Sequence, residues 1–402
     1  MNDELLTQVE ALLDDTYGDS DGASNQRRFF SPARINLIGE HIDYCGGHVL
    51  PAAVQFGTFV IARPNNGNTV RLVSLNEPDL VKFDPTASLQ RADPVSWGDY
   101  VKGVFVEYRK LGVDLPCLDI AVGGDVPGGG MSSSASLEVG IAVMVEAFTG
   151  YRASQDEFTN RQAISWLTQQ AENDFVGVNC GIMDQGAVAL GRQDHAMLMD
   201  CSDLSIQYIP VQLGDHCLLI ANTCKERRLG ESAYNERREE VEQALATLQP
   251  VLGVDNLCQI PVEKLNDALV HLENPVIQKR ARHVITEQHR VTQATACLEC
   301  GDLAEFGKLL NASHHSLQQD FEVSGPELDT LISLAQQQPG VLGARMMGAG
   351  FGGCGLVLLE ASAVMDMTRA VGDTYKDRIG YGAEFYRAEI GAGALEIKAN
   401  EI

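Results

Sequence analysis

GGDVPGGGMSSSAS, residues 123–136, is the stretch of this sequence that decides its fold class. The apolar run at residues 118–122 just before it predicts a buried β-strand, and the almost wholly apolar run at residues 135–148 predicts a buried helix. Strands and helices interleave in the same way along the rest of the chain. The sequence therefore predicts a mixed fold of the α/β or α+β class.

The glycines and serines of this stretch also have the chemistry of a phosphate-binding loop. Glycines allow backbone N–H groups to point toward an anion, and the free N–H groups of a helix that begins near Ser134 would add to them. The stretch is not a Walker A loop, because no Gly-Lys-Ser/Thr follows the glycines. A flexible turn with a serine N-cap explains an isolated run of this kind equally well, but the position between strand and apolar helix favours phosphate binding.

A second segment, residues 34–48, crowds polar side chains beside glycines that force a turn. Carboxylates accept hydrogen bonds from sugar hydroxyls, and an arginine can hold a carboxylate or screen developing negative charge. Spacing alone slightly favours the alternative of a surface turn with one ion pair. The side chains concerned are Arg34, Glu40, His41, Asp43 and Tyr44.

A third segment places Glu172 at the end of a predicted helix and Asp184 in a glycine-flanked turn, residues 180–186. These two acids have the chemistry of a metal ligand and a base, although acids that cap and solvate turns are the commoner explanation for such spacing. The late glycine loop, residues 348–353, has the same ambiguity. It either cradles a phosphate or allows two parts of the chain to pack closely.

Size and charge limit the function. A chain of 402 residues predicts two domains, which we set at residues 1–212 and 213–402, with a cleft between them. The net charge of −25 disfavours nucleic acid and anionic membranes as partners. The acidic first helix lacks the features of a signal peptide, and the ten cysteines have no disulfide rhythm, so we expect a cytoplasmic protein. The C-x-x-C pair Cys297 and Cys300 is interpreted as helix packing.

Two local patterns give sharper structural predictions. Residues 56–63 and 69–75, joined by a Pro-Asn-Asn-Gly-Asn turn, predict a β-hairpin. Ser324 and Glu327 have the spacing of a capping box, with the serine as N-cap of a helix that ends near residue 338.

Together, these segments resemble galactokinases, a branch of the GHMP kinases, which also include homoserine, mevalonate and phosphomevalonate kinases. The matching stretches run in order over most of the chain, and RINLIGEHIDYCGGHVLP is similar to a signature that the other branches do not share. They are RINLIGEHIDYCGGHVLP (34–51), DVPGGGMSSSASLE (125–138), GIMDQ (181–185), ESAYNERREE (231–240), VSGPELD (323–329) and MGAGFGGC (347–354).

The resemblance implies a two-domain GHMP kinase fold with the active site in the cleft, and ATP-dependent phosphorylation of the anomeric hydroxyl of galactose. It implies that Asp184 is the catalytic acid/base residue, with Arg34 beside it, and that Ser134 and Glu172 hold Mg²⁺. The implied sugar contacts are Glu40, His41, Asp43, Gly181 and Tyr234. The implied ATP contacts are Gly128, Gly129, Gly130, Ser132, Ser133 and Ser134, with Trp97 and Tyr100 at the adenine, where ordinary core aromatics are nearly as good an explanation.

The chain departs from the family pattern near the sugar. Ile42 and Cys45 replace the usual Thr and Asn, and the phosphate loop is one residue shorter than usual. Two alternatives therefore stay open: a kinase of another galactose-like sugar (galacturonate, N-acetylgalactosamine or arabinose), and a non-catalytic galactose and ATP sensor. The retained Glu172 and Asp184 disfavour the sensor. We expect sugar and ATP as small-molecule partners and a monomeric chain.

Overall fold

The computed structural model describes residues 2–18, 25–127, 130–225 and 230–398. One-turn π-helices, Ala171–Val176 and Leu317–Phe321, extend the fourth and ninth helices. The α-helices are α1 (Asp3–Tyr17), α2 (Trp97–Lys110), α3 (Ser133–Thr149), α4 (Glu157–Gln170), α5 (Met183–Leu190), α6 (Gly230–Leu252), α7 (Leu265–Leu269), α8 (Pro275–Cys300), α9 (Leu303–Ser316), α10 (Gly325–Gln336) and α11 (Val364–Ile379). The strands are β1 (Arg27–Asn36), β2 (His48–Val49), β3 (Pro51–Pro64), β4 (Val70–Ser74), β5 (Val81–Phe83), β6 (Leu118–Gly124), β7 (His195–Asp200), β8 (Ile206–Pro210), β9 (His216–Asn222), β10 (Val341–Met346), β11 (Cys354–Glu360), β12 (Glu384–Ala388) and β13 (Leu395–Ile397).

The largest sheet has the strand order β13-β1-β3-β6-β4-β5. Helix α3, which is apolar almost all round, packs on β1 and β3, while α1 packs against β3 and β6. Apolar strands with few polar positions can be buried on both faces only if helices cover them, and this sheet meets that requirement. The predicted mixed fold and the predicted strand–loop–helix at residues 118–148 are confirmed.

The predicted β-hairpin is wrong. Strand β6 lies between β3 and β4, pairing antiparallel with the first and parallel with the second. The turn after residue 63 therefore joins two strands that do not pair with each other. Strand β6 is buried along nearly its whole length, so burial in the middle of the sheet decides its position over the short turn.

The other sheets are smaller. Strands β10, β11, β9 and β12 form an antiparallel sheet in the order β10-β11-β9-β12, and α10 and α11 pack on one of its faces. Strands β2, β7 and β8 form a three-stranded antiparallel sheet. The last strand, β13, returns to the first sheet and pairs with β1, so residues from both ends of the chain complete one sheet. The domain division at residue 212 stays a prediction.

The predicted capping box at α10 is also wrong. Ser324 precedes the helix, as expected, but has helical dihedrals (φ −80°, ψ −59°) and its side chain makes no capping hydrogen bond. A serine can cap only from an extended conformation, in which its oxygen reaches the free N–H groups. Glu327 instead pairs with Lys225, at 3.0 Å.

Two further findings concern only the described part of the chain. Within it, no helix has both the length and the apolar character needed to cross a membrane. Within the same ranges, no group of three or more His, Cys, Asp or Glu side chains is arranged to hold a metal, and Cys297 and Cys300 lie half-buried and exposed at the end of α8.

Candidate active site

A cleft of about 1080 Å³ brings together the motifs found in the sequence. Its walls come from both predicted halves of the chain, and they include every predicted site residue within the described ranges except Trp97. Gly128 and Gly129 lie outside the described residues. The lining residues are Arg34, Glu40, His41, Asp43, Tyr100, Gly130, Ser132, Ser133, Ser134, Glu172, Val178, Cys180, Gly181, Met183, Asp184, Lys225, Ala233, Tyr234, Gly348, Ala349, Gly350 and Phe351.

Arg34 and Asp184 form an ion pair at the centre of the cleft. The guanidinium Nε and Nη2 of Arg34 lie 2.9 and 2.8 Å from Oδ1 of Asp184, and Nη1 donates to the carbonyl of Gly130 at 2.6 Å. The arginine side chain is 3% exposed and the aspartate side chain 29%. The buried guanidinium therefore fixes the carboxylate, whose other oxygen stays available to a ligand in the cleft.

The local fold explains how these two side chains meet. Strand β1 has an irregular register between Pro32 and Arg34, which re-aims its end. Asp184 lies in the first turn of α5, where free backbone N–H groups favour a carboxylate. The bond from Arg34 to Gly130 also ties β1 to the loop that leads into α3.

The turn after β1 presents Glu40 and His41 to the cleft. Glu40 is buried, and its carboxylate accepts from the backbone N–H of Gly348 at 2.8 Å. Burial raises the pKa of Glu40, while nearby Arg345 acts in the opposite direction. His41 adopts a left-handed conformation (φ 63°), which turns the chain so that both side chains face inward.

The tautomer of His41 follows from its partners. Burial lowers the pKa of His41 to about 3, so the imidazole is neutral near pH 7. Its Nε2 lies 3.1 Å from the carbonyl of Ala349, which can only accept, so Nε2 carries the proton. Its Nδ1 then accepts from the hydroxyl of Tyr44 at 3.1 Å.

Asp43, Gly181 and Tyr234 also line the sugar-sized part of the cleft. Burial, and then the negative charges of Asp184 and Glu40, raise the pKa of Asp43 to about 7. A Cβ at Gly181 would overlap the carboxylate of Asp43, so only glycine fits there. The ring of Tyr234 packs against the rings of His41 and Tyr44, with centroids 5.5 and 5.7 Å away.

The glycine and serine loop ends at the N-terminus of α3, where Ser133 and Ser134 begin the helix. Ser132 is 7% exposed with φ 61°, and its hydroxyl has no hydrogen-bond partner among the described residues. A buried hydroxyl without a partner is costly, and this one faces a cleft at a helix N-terminus. Of the late glycine loop, Gly348 would bring a Cβ within 2.6 Å of the Gly130 carbonyl, so the two glycine-rich loops touch backbone to backbone.

Glu172 lies beside the N-terminus of α3. A second acid, Glu138, lies close to it, and the sequence did not identify this pair. Burial, followed by the charge of Asp184, raises the pKa of Glu172 to about 7, while the nearby hydroxyl of Ser134 acts in the opposite direction. The amide Nε2 of Gln185 donates to Glu172 at 2.8 Å and approaches Glu138 at 3.5 Å. Burial also raises the pKa of Glu138 well above its usual value. The only signal in the sequence is that Glu138 alone interrupts an apolar helix.

Helix α8 supplies side chains that hold the sugar-sized part of the cleft from behind. His283 bonds through Nε2 to the carbonyl of Glu40 at 3.0 Å, and Glu287 accepts from the N–H of Gly39 at 3.0 Å. Gln288 accepts from the N–H of His48 at 2.8 Å. Their spacing is that of one helix face, but nothing local distinguishes them from surface polar residues. The sequence therefore did not identify them.

The two predicted adenine contacts separate in the structure. Tyr100 lines the cleft, whereas Trp97 does not, and its indole N–H donates to the carbonyl of Asp79 at 3.1 Å. Both lie in the first turn of α2, three positions apart, and the bond to Asp79 holds the Trp97 indole at the segment before the helix.

Three family profiles match this chain. They are the galactokinase galactose-binding signature at residues 14–64, the GHMP kinase N-terminal domain at residues 99–192 and the GHMP kinase C-terminal region at residues 294–377. Each covers segments that line the cleft or support it from behind.

Curated relatives extend the similarity to the full length. A galactokinase of Lactiplantibacillus plantarum is 44% identical over 92% of this chain and 95% of its own length. A galactokinase of Enterococcus faecalis is 42% identical over 97% of this chain and 100% of its own length.

Solved structures give the same picture. The crystal structure of Lactococcus lactis galactokinase complexed with galactose superposes with a TM-score of 0.91 at 38% identity, covering 98% of this chain and 100% of that chain. Methanococcus jannaschii mevalonate kinase, at 14% identity and a TM-score of 0.62 over 92% of this chain and 99% of its own, shares the fold.

Proposed function

The chain belongs to the galactokinase family of GHMP kinases, and we propose that its cleft transfers the terminal phosphoryl group of ATP to the anomeric hydroxyl of galactose. The observation that carries the assignment of roles is the ion pair between Arg34 and Asp184. A sugar hydroxyl in the cleft and the start of α3 would both be within reach of this ion pair. The enzyme is a sugar kinase, a phosphotransferase with an alcohol group as acceptor.

Asp184 is the residue that accepts the proton of the attacking hydroxyl. Its carboxylate is partly open to the cleft, and Arg34 keeps it in place without filling its second oxygen. Arg34 also lies close enough to screen the negative charge that grows on the sugar oxygen. Phosphoryl transfer asks little covalent work of a protein, so position and charge at this pair account for most of what it contributes.

The sugar is held by Glu40, His41, Asp43, Gly181 and Tyr234. Two carboxyl groups, one imidazole and a phenol give a set of acceptors and donors that suits several neighbouring hydroxyls. The Nε2 proton of His41 is already used by Ala349, so His41 acts mainly by shape and by ordering Tyr44. Replacement of galactose by galacturonate would put a carboxylate of the ligand beside these acids, and the like charges disfavour that alternative.

The phosphates of ATP are held by Gly130, Ser132, Ser133 and Ser134, with the N-terminus of α3. Within the described ranges the hydroxyl of Ser132 has no hydrogen-bond partner, which supports this role. We assign the adenine side of the cleft to Tyr100 rather than to Trp97, because only Tyr100 lines it. Gly128 and Gly129 keep the phosphate-binding role that the family resemblance implies for them.

Mg²⁺ would be held by Ser134 and Glu172. One hydroxyl and one carboxylate fit a hard cation that takes its remaining ligands from water and phosphate oxygens. When bound, the ion supplies positive charge at the phosphates. Mg²⁺ usually keeps several waters and binds through one or two carboxylates together with substrate phosphates, so ATP would supply the other ligands.

The decisive experiment is product analysis with purified protein, ATP, Mg²⁺ and galactose. We expect sugar-dependent ADP release and a phosphorus NMR signal from phosphate on the anomeric oxygen. Asp184→Asn should keep ATP binding but lower turnover by about 10²–10⁴-fold, which is the usual contribution of a base. ADP release without a sugar phosphate, or near-normal turnover in the variant, would contradict the assignment.

A sugar panel separates the alternatives. A higher kcat/KM for galacturonate, N-acetylgalactosamine or arabinose than for galactose would replace galactose as the substrate. Binding of galactose and ATP without turnover would identify a sensor.

We also propose that the chain acts as a monomer in the cytoplasm. All ten cysteines are free, which suits a reducing compartment, and one chain supplies every described wall of the cleft. Light scattering at working concentration tests the first part.

A further inference from the structure

The cleft has few cations for a ligand as negative as ATP. Among the described lining residues, the permanent cations are Arg34 and Lys225, whereas four acids face the same space. Arg34 is already paired with Asp184, and His41 is neutral. Lys225 is therefore the lining cation that the proposed chemistry at the sugar does not use.

The position of Lys225 is fixed relative to the phosphate-binding loop. Thr223, two residues before Lys225, donates through its hydroxyl to the Gly353 carbonyl at 2.8 Å, and this bond ties the segment to the late glycine loop. A Cβ at Gly352 would lie 2.8 Å from Cδ of Lys225, so the lysine stem runs directly over that loop. The same loop touches the phosphate-binding loop through Gly348 and Gly130.

The partner of Lys225 comes from the first turn of α10. The late glycine loop also bonds to the segment before α10, because the Phe351 N–H donates to the Val323 carbonyl at 2.6 Å. This bond brings Glu327 close to the loop. Nζ of Lys225 lies 3.0 Å from Oε2 of Glu327. Glu327, which the sequence assigned to a capping box, therefore forms an ion pair with Lys225.

We infer that Lys225 binds the terminal phosphates of ATP, and that Glu327 holds its ammonium group when no nucleotide is bound. ATP binding would then exchange one anionic partner of Lys225 for another. The inference rests on the proposed function, because it places the nucleotide along the phosphate-binding loop.

The exchange costs little. The two side chains are 34% and 19% exposed, and an ion pair that remains partly open to solvent contributes little to stability. The flexible four-carbon stem of a lysine allows its ammonium to move while the backbone stays in place. Glu327, once released, still lies in the first turn of α10, where the helix N-terminus favours a carboxylate.

Equilibrium binding of adenosine, AMP, ADP and ATP in the presence of Mg²⁺ tests this exchange. Lys225→Gln should weaken ATP binding by about 10- to 100-fold, the value of one charge-assisted hydrogen bond, and leave adenosine and AMP within about twofold. Glu327→Gln should act in the opposite direction and tighten ATP binding by about two- to fivefold, because the lysine no longer has a competing partner. Lys225→Arg should retain most of the affinity.

The matched control is Lys279→Gln, which breaks a surface ion pair with Glu322, 2.9 Å long, and changes the net charge by the same amount. It should leave all four ligands unchanged. Equal loss of adenosine and ATP in Lys225→Gln, or weaker ATP binding in Glu327→Gln, would overturn the inference and make the pair purely structural. These measurements need no turnover, so their failure is distinct from failure of the galactokinase assay.

Discussion

The carboxylate of Glu287, on α8, accepts a 3.0 Å hydrogen bond from the backbone N–H of Gly39, which lies directly before Glu40. Ser313 donates to the same oxygen at 2.7 Å, and Arg290 pairs with the other oxygen at 2.6 Å. A fully buried carboxylate with three donors is a rigid support. The shape of the sugar pocket is thus set by a helix from the far half of the chain.

The first prediction concerns this support. Glu287→Gln should raise the KM for galactose by about tenfold or more and leave the KM for ATP nearly unchanged, because the turn at Gly39 loses its anchor. Breaking a buried ion pair on one side also costs about 3–5 kcal/mol of folding stability. Steady-state kinetics and urea unfolding measure the two effects. Equal changes in both KM values would show that Glu287 supports the whole fold and not the turn.

The acid stability of the protein should depend on the same residue. Burial alone would raise the pKa of Glu287, but Arg290, followed by His283 and Arg345, lowers it to about 2. A lowered pKa means that the ionised group stabilises the folded state above its unfolded value near 4.5, and that this stability is lost as the pH falls toward 2. Urea unfolding between about pH 6 and about pH 3 measures this effect. The free energy of unfolding of Glu287→Gln should fall less steeply with decreasing pH than that of the wild-type protein.

A third prediction uses the contact between Gly181 and Asp43. Gly181→Ala should raise the KM for galactose strongly, because the added methyl group occupies the place of the Asp43 carboxylate. Gly372→Ala is the matched control: on helix α11 its Cβ would meet only one ring atom, of Phe385, at 3.7 Å. That variant should have wild-type kinetics. Normal galactose affinity in Gly181→Ala would mean that Asp43 does not contact the sugar.

The pH profile should report Asp43. Because its pKa is raised to about 7, the carboxyl group is protonated in the folded protein below that pH, although the unfolded chain would already be ionised. Its contribution to stability therefore decreases as the pH rises from about 4 through 7. An ionised acceptor should bind the sugar better, so kcat/KM for galactose at saturating Mg²⁺ and ATP should rise through pH 7. Asp43→Asn should remove this limb, and a limb that persists would belong to another group.

Contiguous motifs explain why so much of the site could be predicted. Arg34 to Asp43 lie within ten residues of the chain, and Ser132 to Ser134 within one helix start, so each group forms a short motif that the resemblance to galactokinases could identify, although spacing alone did not decide its role. Glu287 and Lys225 act through partners that are distant in sequence, such as Gly39 and Glu327, and no local pattern identifies such pairs. The hairpin prediction failed for the same reason. Strand β6, which is distant in sequence, lies between β3 and β4, and its burial in the sheet outweighs the preference of the short turn.

Strand β13 has a consequence for synthesis of the protein. Its residues, Leu395–Ile397, pair with Arg28–Phe30 on the free edge of β1, a strand that is synthesised long before them. Until the ribosome has released this late segment, β1 presents unpaired N–H and C=O groups that other chains could join. Slow, long-range pairing of this kind exposes nascent chains to aggregation. Ribosomes that stall before the last strand would therefore release polypeptides for chaperones and proteases to clear.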